Sequence, residues 1–274
     1  SRSDASLAQA PVIPSDAAAV VISGPTLDLK EEEAQLLHNY LKTGGRLLFH
    51  LDPDPPQTFK DFLAQWGLQV NEGIVVDLGS SLSGQPQTPL VKREQFFVNS
   101  LQAEAITAPL DQSYFPGSTS FQPILPPEEM QDTIRLIPLA RTTILSCATL
   151  DPEVNTCPGV SPNILILAIA IQASAPVNAE PVENAPREAR LVVFGDSDFS
   201  TNFHLYSSNN IDLLLNSVNW LTEDVSLASV RPKPIAFRQI VVTGREMQVI
   251  RALGWFLLPV LMSLLAGVAW WRRR

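Results

Sequence analysis

The stretch that decides the fold is residues 18–56, AAVVISGPTLDLKEEEAQLLHNYLKTGGRLLFHLDPDPP. It opens with an apolar run typical of a buried strand, and the Asp28/Glu31 pair then forms a capping-box pattern that predicts a helix from about residue 29. The glycine pair at 44–45 ends that helix, and a second apolar strand follows at once and stops at an Asp-Pro-Asp-Pro-Pro turn. Strand, helix and strand at this spacing predict an α/β domain with parallel strands.

The same alternation continues along the chain. We expect strands at 73–77, 134–139, 164–171 and 190–194, and helices at 57–66 and 210–221. The last of these helices carries an apolar stripe of Ile211, Leu214, Leu215 and Val218. Residues 79–133 are rich in proline, which forbids long helices and predicts an irregular insertion with short edge strands. The fold class is therefore α/β, with an open, mostly parallel sheet.

The C-terminus carries a candidate transmembrane helix. Leu253 to Trp271 are nineteen uncharged, mostly apolar positions. A helix of that length covers about 28 Å, close to the ~30 Å hydrocarbon core of a bilayer. Its flanking residues suit the headgroup zone and the region beyond it, namely Trp255, Trp270, Trp271, Arg272, Arg273 and Arg274. The alternative is a buried core helix of a soluble protein, but the arginine triplet follows directly and favours a membrane anchor.

Four regions follow from these patterns. Residues 1–16 form a flexible leader that we expect to continue a longer N-terminal part, since the chain begins without methionine or a signal peptide. Residues 17–225 form the α/β domain, and residues 226–243, with Arg-Pro-Lys-Pro at 231–234, form a stiff linker. A capping box at Thr243 and Glu246 starts a helix that continues through 244–274 without a break.

Two observations bear on the side of the membrane that the domain occupies. The positive-inside rule places Arg272 to Arg274 in the cytoplasm and the domain outside, although Arg238, Arg245 and Arg251 near the other end weaken the contrast. Cys147 and Cys157 lie in one polar stretch and could form a disulfide, which persists only in an oxidising compartment. The alternative is two free thiols. We expect the domain to be extracytoplasmic.

Polar residues mark the ends of three predicted strands. They are Ser23, the pair Asp52 and Asp54, and the pair Asp196 and Asp198. Ligands of open α/β sheets bind beyond the carboxyl ends of the strands, so these side chains are candidate ligand-binding residues. Their oxygens could hold a divalent cation or a polar ligand. Alternatively, each aspartate only closes a turn or caps a helix. His38 and His50 are interpreted as structural, and His204 as a turn residue.

Several function classes are excluded by the sequence. It contains no GxxxxGK[ST] phosphate loop, no GxGxxG dinucleotide motif, no GxSxG elbow and no cysteine at a strand-to-helix turn. With 28 acidic and 19 basic side chains the net charge is −9, which argues against nucleic-acid binding. No cofactor, resident metal or catalytic residue is assigned, and the sequence favours a binding or structural role.

Several segments carry a family resemblance. VVISGP (20–25), YLKTGGRLL (40–48) and LDP (51–53) resemble the core of ABC-transporter auxiliary proteins related to a gliding-motility component. VVFGDSDF (192–199), NSVNWL (216–221), RPKP (231–234) and the terminal WRRR (271–274) follow in the order of that family. The resemblance implies an extracytoplasmic domain like those of class I glutamine amidotransferases and flavodoxin-like proteins, without the catalytic machinery.

The resemblance also implies a function. It indicates a membrane-anchored, non-ATPase accessory subunit of an ABC-2-type transport system, with the permease, a separate ATPase and membrane lipid as partners in the plasma or inner membrane. The domain would then mediate contacts with substrate or other subunits. Two other classes remain open: an anchored hydrolase or metal-dependent enzyme that uses the aspartates at the strand ends, and an anchored solute-binding receptor.

Overall fold

The computed structural model describes residues 11–128, 133–157, 159, 161–174, 188–222 and 243–273. Most of the predicted leader precedes the first of these ranges. The predicted linker, including its Arg-Pro-Lys-Pro segment, lies outside them up to residue 242. The described part of the chain comprises the α/β domain and the C-terminal helix.

Twelve strands lie in the described residues. They are β1 (Val20–Ser23), β2 (Arg46–His50), β3 (Leu68–Val70), β4 (Ile74–Asp77), β5 (Ser81–Leu82), β6 (Gln85–Lys92), β7 (Gln112–Tyr114), β8 (Phe121–Pro123), β9 (Ile134–Arg141), β10 (Ser146–Thr149), β11 (Ile166–Ser174) and β12 (Glu188–Phe194). The helices are α1 (Glu31–Lys42), α2 (Gln57–Gln65), α3 (Leu101–Thr107), α4 (Asn210–Thr222), α5 (Gly244–Ala252) and α6 (Leu258–Arg272), with a π-helical segment, Leu253–Leu257, between the last two. The predicted α/β class is confirmed.

The main sheet has seven strands and mixed directions. Its order is β1-β2-β12-β11-β8-β3, and β9 also pairs with β11. Only β1, β2 and β12 are parallel neighbours, whereas β11 is antiparallel to β12, β9 and β8, and β8 is antiparallel to β3. The predicted mostly parallel sheet is therefore wrong, and the expected likeness to amidotransferase-like and flavodoxin-like domains has no support in this strand order. An apolar run such as β11 indicates that the strand is buried on both faces of the sheet, but it does not indicate whether the neighbouring strands are parallel or antiparallel.

Helices cover both faces of the main sheet. Side chains alternate along β2, so that Leu47 and Phe49 face one side and Leu48 faces the other. The first side packs against α1 and α2 through residues such as Leu37, Leu41, Phe59 and Phe62. The second side packs against α3 and α4 through Ile106, Leu213 and Leu221. This double cover explains why β2 is apolar at almost every position.

The helix α1 begins later than predicted. Its first residue is Glu31, and Glu33 rather than Glu31 turns back to accept the backbone N–H of Lys30 at 3.0 Å. Asp28 instead accepts the hydroxyl of Thr58, at the start of α2, at 3.0 Å. The predicted capping box is wrong because a tertiary contact holds the aspartate. The predicted C-terminus is confirmed, since Gly44 adopts φ 87° and donates its N–H to the carbonyl of Leu41.

The buried face of α4 overlaps the predicted stripe in part, since Leu214 and Val218 pack against the core as partly buried residues. Its buried residues are Asn210, Leu213, Ser217 and Leu221, whereas Leu215 is 43% exposed. Two polar residues sit in this face with partners. Asn210 accepts the Ser113 hydroxyl and the Tyr114 N–H through Oδ1, and Ser217 donates its hydroxyl to the carbonyl of Leu213. A pattern of apolar residues alone does not reveal polar positions that are buried and hydrogen-bonded.

Two small sheets flank the main one. The predicted strand at 73–77 exists as β4, but it pairs antiparallel with β10 rather than joining the main sheet. In the proline-rich insertion, β5, β6 and β7 form a three-stranded antiparallel sheet, and α3 has only seven residues. Cys147 in β10 is joined to Cys157 by a disulfide, with the two Cα atoms 5.9 Å apart.

The C-terminal helix runs without a break from Gly244 to Arg272, as predicted. Its 29 residues include a window with mean hydropathy 2.1, and none of that window is buried inside the protein. Thr243 forms the expected capping box: its N–H donates to Glu246 Oε2 at 2.7 Å, and its hydroxyl accepts the Glu246 N–H at 3.4 Å. The π-helical segment ends two residues before Pro259, which has no N–H to donate within the helix.

Candidate functional site

The parallel strands β1, β2 and β12 bring three predicted strand ends to one edge of the sheet. Because these strands are neighbours and run in the same direction, the residues that follow them share one rim. Ser23 ends β1, Asp52 and Asp54 follow β2, and Asp196 and Asp198 follow β12. We call this edge, together with Ser197 and Ser200, the strand-end rim.

Asp52 joins two loops of the strand-end rim. Its Oδ1 accepts the backbone N–H of Ser197 at 2.9 Å, and its Oδ2 accepts the hydroxyl of Ser197 at 2.8 Å. Gly24 fits tightly beside this pair, since a Cβ at Gly24 would lie 3.2 Å from Asp52 Oδ2. Both oxygens of the Asp52 carboxylate are thus engaged in holding the loop after β12 against the loop after β2.

Asp196 closes the turn that follows β12. It is fully buried, and its two oxygens accept the backbone N–H groups of Asp198 at 3.0 Å and Phe199 at 3.1 Å. Burial raises the pKa of Asp196 well above its ordinary value; the charges of Asp198 and Asp52 act in the same direction, and the two N–H donors oppose the shift. This side chain supports the turn from inside the protein.

His50 lies beneath the strand-end rim. The hydroxyls of Ser23 and Ser200 lie 3.3 and 3.2 Å from its Nδ1, and Ser200 donates its own proton to the carbonyl of Ser197. A proton on Nδ1 satisfies this arrangement, because the Ser200 oxygen is then an acceptor. Burial against Phe194 and Phe199 lowers the pKa of His50 to about 4, against the influence of Asp52. The imidazole is therefore neutral at pH 7.

The five predicted ligand-binding residues fall into two groups. Asp52 is partly buried and Asp196 is fully buried, and each has both oxygens engaged. Ser23, Asp54 and Asp198 are exposed. Within the described part of the chain, no group of three or more His, Cys, Asp or Glu side chains is placed to hold a metal ion. The accessible chemistry of the strand-end rim is that of two carboxylates and a hydroxyl, which accept hydrogen bonds from a polar partner.

Sequence reasoning missed the supporting residues of this rim. Ser197 and Ser200 were not predicted, and only their position in the turn after β12 could have signalled them. His204 is partly buried, and its Nδ1 lies 3.1 Å from the hydroxyl of Tyr114. Its pKa is lowered by burial, which the charge of Asp198 opposes. His204 thus links the turn after Asp198 to β7.

The start of the C-terminal helix contacts the domain. Thr243 forms an antiparallel bridge with Leu82 of β5 and is only 9% exposed. At the adjacent pair, a Cβ on Gly244 would lie 3.0 Å from the Cα of Gly84, in the turn between β5 and β6. The apolar helix therefore leaves the domain from a defined place on the β5–β6 hairpin.

Comparisons with known proteins agree with a transport-system component. The family model described as "ABC-type uncharacterized transport system" matches residues 3–217. No curated protein matches the chain. Among solved structures, the mmIFT52 N-terminal domain is similar with a TM-score of 0.51 and 16% identity, over 74% of this chain and 76% of that chain. At this identity the likeness concerns the fold alone.

A second solved structure is more distant. A ThuA-like protein from Bacteroides uniformis gives a TM-score of 0.40 at 12% identity, over 74% of this chain and 68% of that chain. We base no conclusion about fold or function on a likeness this low. The family model is more informative, because it covers well over half of the chain and confirms the resemblance found in the sequence. The chain belongs to the ABC-type uncharacterized transport system family and is an auxiliary component of such a system.

Proposed function

We propose that the chain is a membrane-anchored, non-ATPase accessory subunit of an ABC-2-type transport system, with its α/β domain outside the cytoplasm. The observation that carries the proposal is the C-terminal helix, which is long and apolar enough to cross a membrane and is not covered by the domain. Family membership supplies the transport context. The sequence has no phosphate-binding loop, so ATP hydrolysis belongs to a separate subunit.

The exposure of this helix fits a lipid environment. Its apolar side chains are exposed on all sides; Trp255 is 80%, Trp270 60% and Trp271 76% exposed. Trp255 and Trp270 are 15 residues apart, or about 22 Å along the helix axis. One tryptophan can therefore lie toward each of the two headgroup regions of the bilayer. An apolar surface of this extent in water would favour aggregation, whereas a bilayer would bury it.

Two features support the proposed orientation: the arginines at the C-terminus and the disulfide in the domain. Arg272, Arg273 and Arg274 place the C-terminus in the cytoplasm under the positive-inside rule. The Cys147–Cys157 disulfide suits an oxidising compartment on the opposite side. We therefore place the domain, residues 17–225, outside the plasma or inner membrane.

The attachment to the β5–β6 hairpin suggests how the domain could influence the membrane helix. Thr243 is bridged to Leu82 and caps the helix, and the helix is continuous through Arg251 into the apolar segment. A displacement of the hairpin would therefore move the start of the helix directly. We propose that the segment from Thr243 to Arg251 couples the domain to the permease.

The proposed partners follow from the exposed surfaces of the C-terminal helix and of the α/β domain. The helix contacts lipid and the permease, and Gly254, Ala266 and Gly267 would allow close approach of a neighbouring helix. At the strand-end rim, Ser23, Asp54 and Asp198 offer oxygen atoms to a polar substrate or another external subunit, while Asp52 and Asp196 hold the loops in place. The net charge of −9 fits neither nucleic acid nor broad contact with anionic lipid.

Membrane topology in native cells tests the proposed arrangement. A chain with an epitope tag after Arg274 should stay in the pellet after alkaline carbonate extraction. In spheroplasts, added protease should degrade the domain but spare the tag until the membrane is lysed. A matched variant, Leu261→Arg with Leu264→Arg, should appear in the carbonate supernatant. Carbonate release of the unmodified chain, or protection of the domain in intact spheroplasts, would contradict the proposal.

A further inference from the structure

A groove lies between α1 and α2, away from the strand-end rim. It has a volume of about 400 Å³ and is lined by Gln35, His38, Asn39, Lys42, Gln65, Trp66 and Pro127. Four of these residues occupy positions i, i+3, i+4 and i+7 of α1 and so form one stripe of that helix. The volume falls within the ~300–1,000 Å³ range of small-molecule sites. We call it the α1–α2 groove.

Trp66 leaves one donor unused at this groove. Its side chain is 2% exposed and packs in the core beneath α1 and α2, yet its Nε1–H has no hydrogen-bond partner in the described part of the chain. Buried indole N–H groups normally have one. His38 stacks against the Trp66 ring at 6.3 Å and lies 4.4 Å from Phe62, which fixes the wall of the groove.

Apart from Pro127, the remaining lining residues that the structure describes are polar, and none of them is an aspartate or glutamate. Gln35, Asn39 and Gln65 each offer an amide, which supplies donors and an acceptor. Lys42 adds an ammonium group, and no ion pair joins it to a carboxylate within the described residues. Burial, and secondarily Lys42, lowers the pKa of His38, so that the imidazole is neutral at pH 7. Among the described lining residues, Lys42 is the charged one, in a protein whose net charge is −9.

We propose that the α1–α2 groove binds a small saccharide that carries a carboxylate, such as a uronic acid. The carboxylate would pair with Lys42 beside the buried Trp66 ring. The ring hydroxyls, which are both donors and acceptors, would pair with the three amides and with the neutral His38. This inference concerns the domain alone and does not depend on the anchor or on the transport partners.

Calorimetric titration of the full chain in detergent with D-glucuronate tests the proposal. D-Glucose, which lacks the carboxylate, and acetate, which lacks the ring, are the matched ligands, and both should bind at least about tenfold more weakly. An NMR titration of ¹⁵N-labelled protein should shift the indole resonance of Trp66, which Trp66→Phe identifies. Equal binding of acetate or of glucose would overturn the proposed ligand class.

Two substitutions separate the groove from general effects. Lys42→Gln, on the surface, should weaken glucuronate binding at least about tenfold without touching the core. Lys30→Gln removes the same charge at the other end of α1 and should leave the affinity within about twofold. Absence of glucuronate binding to the unmodified chain, or equal affinities of the two variants, would overturn the proposal. Because Lys42→Gln spares the core, the test stands even if Trp66→Phe disturbs folding.

Discussion

Ser197 donates both its backbone N–H and its hydroxyl to the carboxylate of Asp52, at 2.9 and 2.8 Å, and so ties the loop after β12 to the loop after β2. The two residues are 145 positions apart in the chain. This contact connects the N-terminal strand–helix–strand unit with the last strand of the sheet. It also keeps the exposed carboxylates of Asp54 and Asp198 on one rim.

Asp52→Ala should destabilise the domain, because it leaves the Ser197 N–H and hydroxyl without their acceptor. Hydrogen bonds to a charged group contribute about 1.5–3 kcal/mol, and we expect a loss of roughly 2–3 kcal/mol in the free energy of unfolding. Urea denaturation of the full chain in micelles measures it. Ser197→Ala removes only the hydroxyl and should cost about 1 kcal/mol. Equal midpoints for Asp52→Ala and the unmodified chain would show that the contact contributes nothing.

His50 should make the domain less stable in acid. Its pKa is lowered to about 4 by burial, whereas an imidazole in the unfolded chain titrates near ~6.5. Between these values the unfolded state takes up a proton that the folded state does not, so stability falls as the pH falls from about 6.5 to about 4. The full effect is on the order of 3 kcal/mol.

His50→Asn isolates this effect, because asparagine keeps a nitrogen donor near Nδ1 but does not titrate. The difference in the free energy of unfolding between the two proteins should change by that amount between pH 7 and pH 4. Contributions of other groups, including Asp196 with its raised pKa, are common to both proteins and cancel in the difference. Parallel stability curves over this pH range would rule out a buried, neutral His50.

The Cys147–Cys157 disulfide should stabilise the domain. The bridged cysteines are 10 positions apart, and closing a loop of that size is worth about 2–3 kcal/mol in the chain-entropy model. Reduction with dithiothreitol and the double variant Cys147→Ser/Cys157→Ser should lower the urea midpoint equally. In native cells, thiol trapping before lysis should find no free cysteine. Labelling of both thiols in fresh cells would contradict an extracytoplasmic domain.

Breaking the start of the C-terminal helix should uncouple the domain from the membrane. Prolines at Gln248 and Val249 remove two backbone N–H donors in the segment between the β5–β6 hairpin and the apolar helix. We expect transport to be lost while the domain keeps its urea midpoint and the chain stays in the membrane. The matched variant Gln248→Ala/Val249→Ala preserves the helix and should transport normally. Normal transport by the proline variant would mean that the segment does not couple the two parts.

Local signals in the sequence predicted much of the fold. The glycine pair after α1, the capping box at Thr243 and the apolar strands β1, β2 and β12 all appear where the patterns place them. Strand direction was not predictable in the same way. The run 164–171 is equally apolar whether its neighbours are parallel or antiparallel. Its partner β9 was predicted as a strand at 134–139 but without a direction, and its partner β8 lies in the proline-rich insertion, where strand signals are weak.

The candidate site was predicted only in part, for a related reason. The aspartates stand out because they follow apolar strands, and neighbouring parallel strands bring them together. Their roles depend on contacts across long sequence distances, such as the Ser197–Asp52 pair and the His50–Ser200 pair. The α1–α2 groove was invisible in the sequence, because an unpartnered Trp66 N–H is a property of packing and not of pattern.

Co-purification of the native complex tests the central claim most directly. The chain, tagged and expressed at its native level, is captured from membranes solubilised in mild detergent, and the Leu261→Arg/Leu264→Arg variant serves as the matched control. We predict that an ABC-2-type permease and an ABC ATPase are recovered together with the unmodified chain and are lost with the variant. Capture of the intact, membrane-embedded chain without either protein would contradict its assignment as an accessory subunit of such a system.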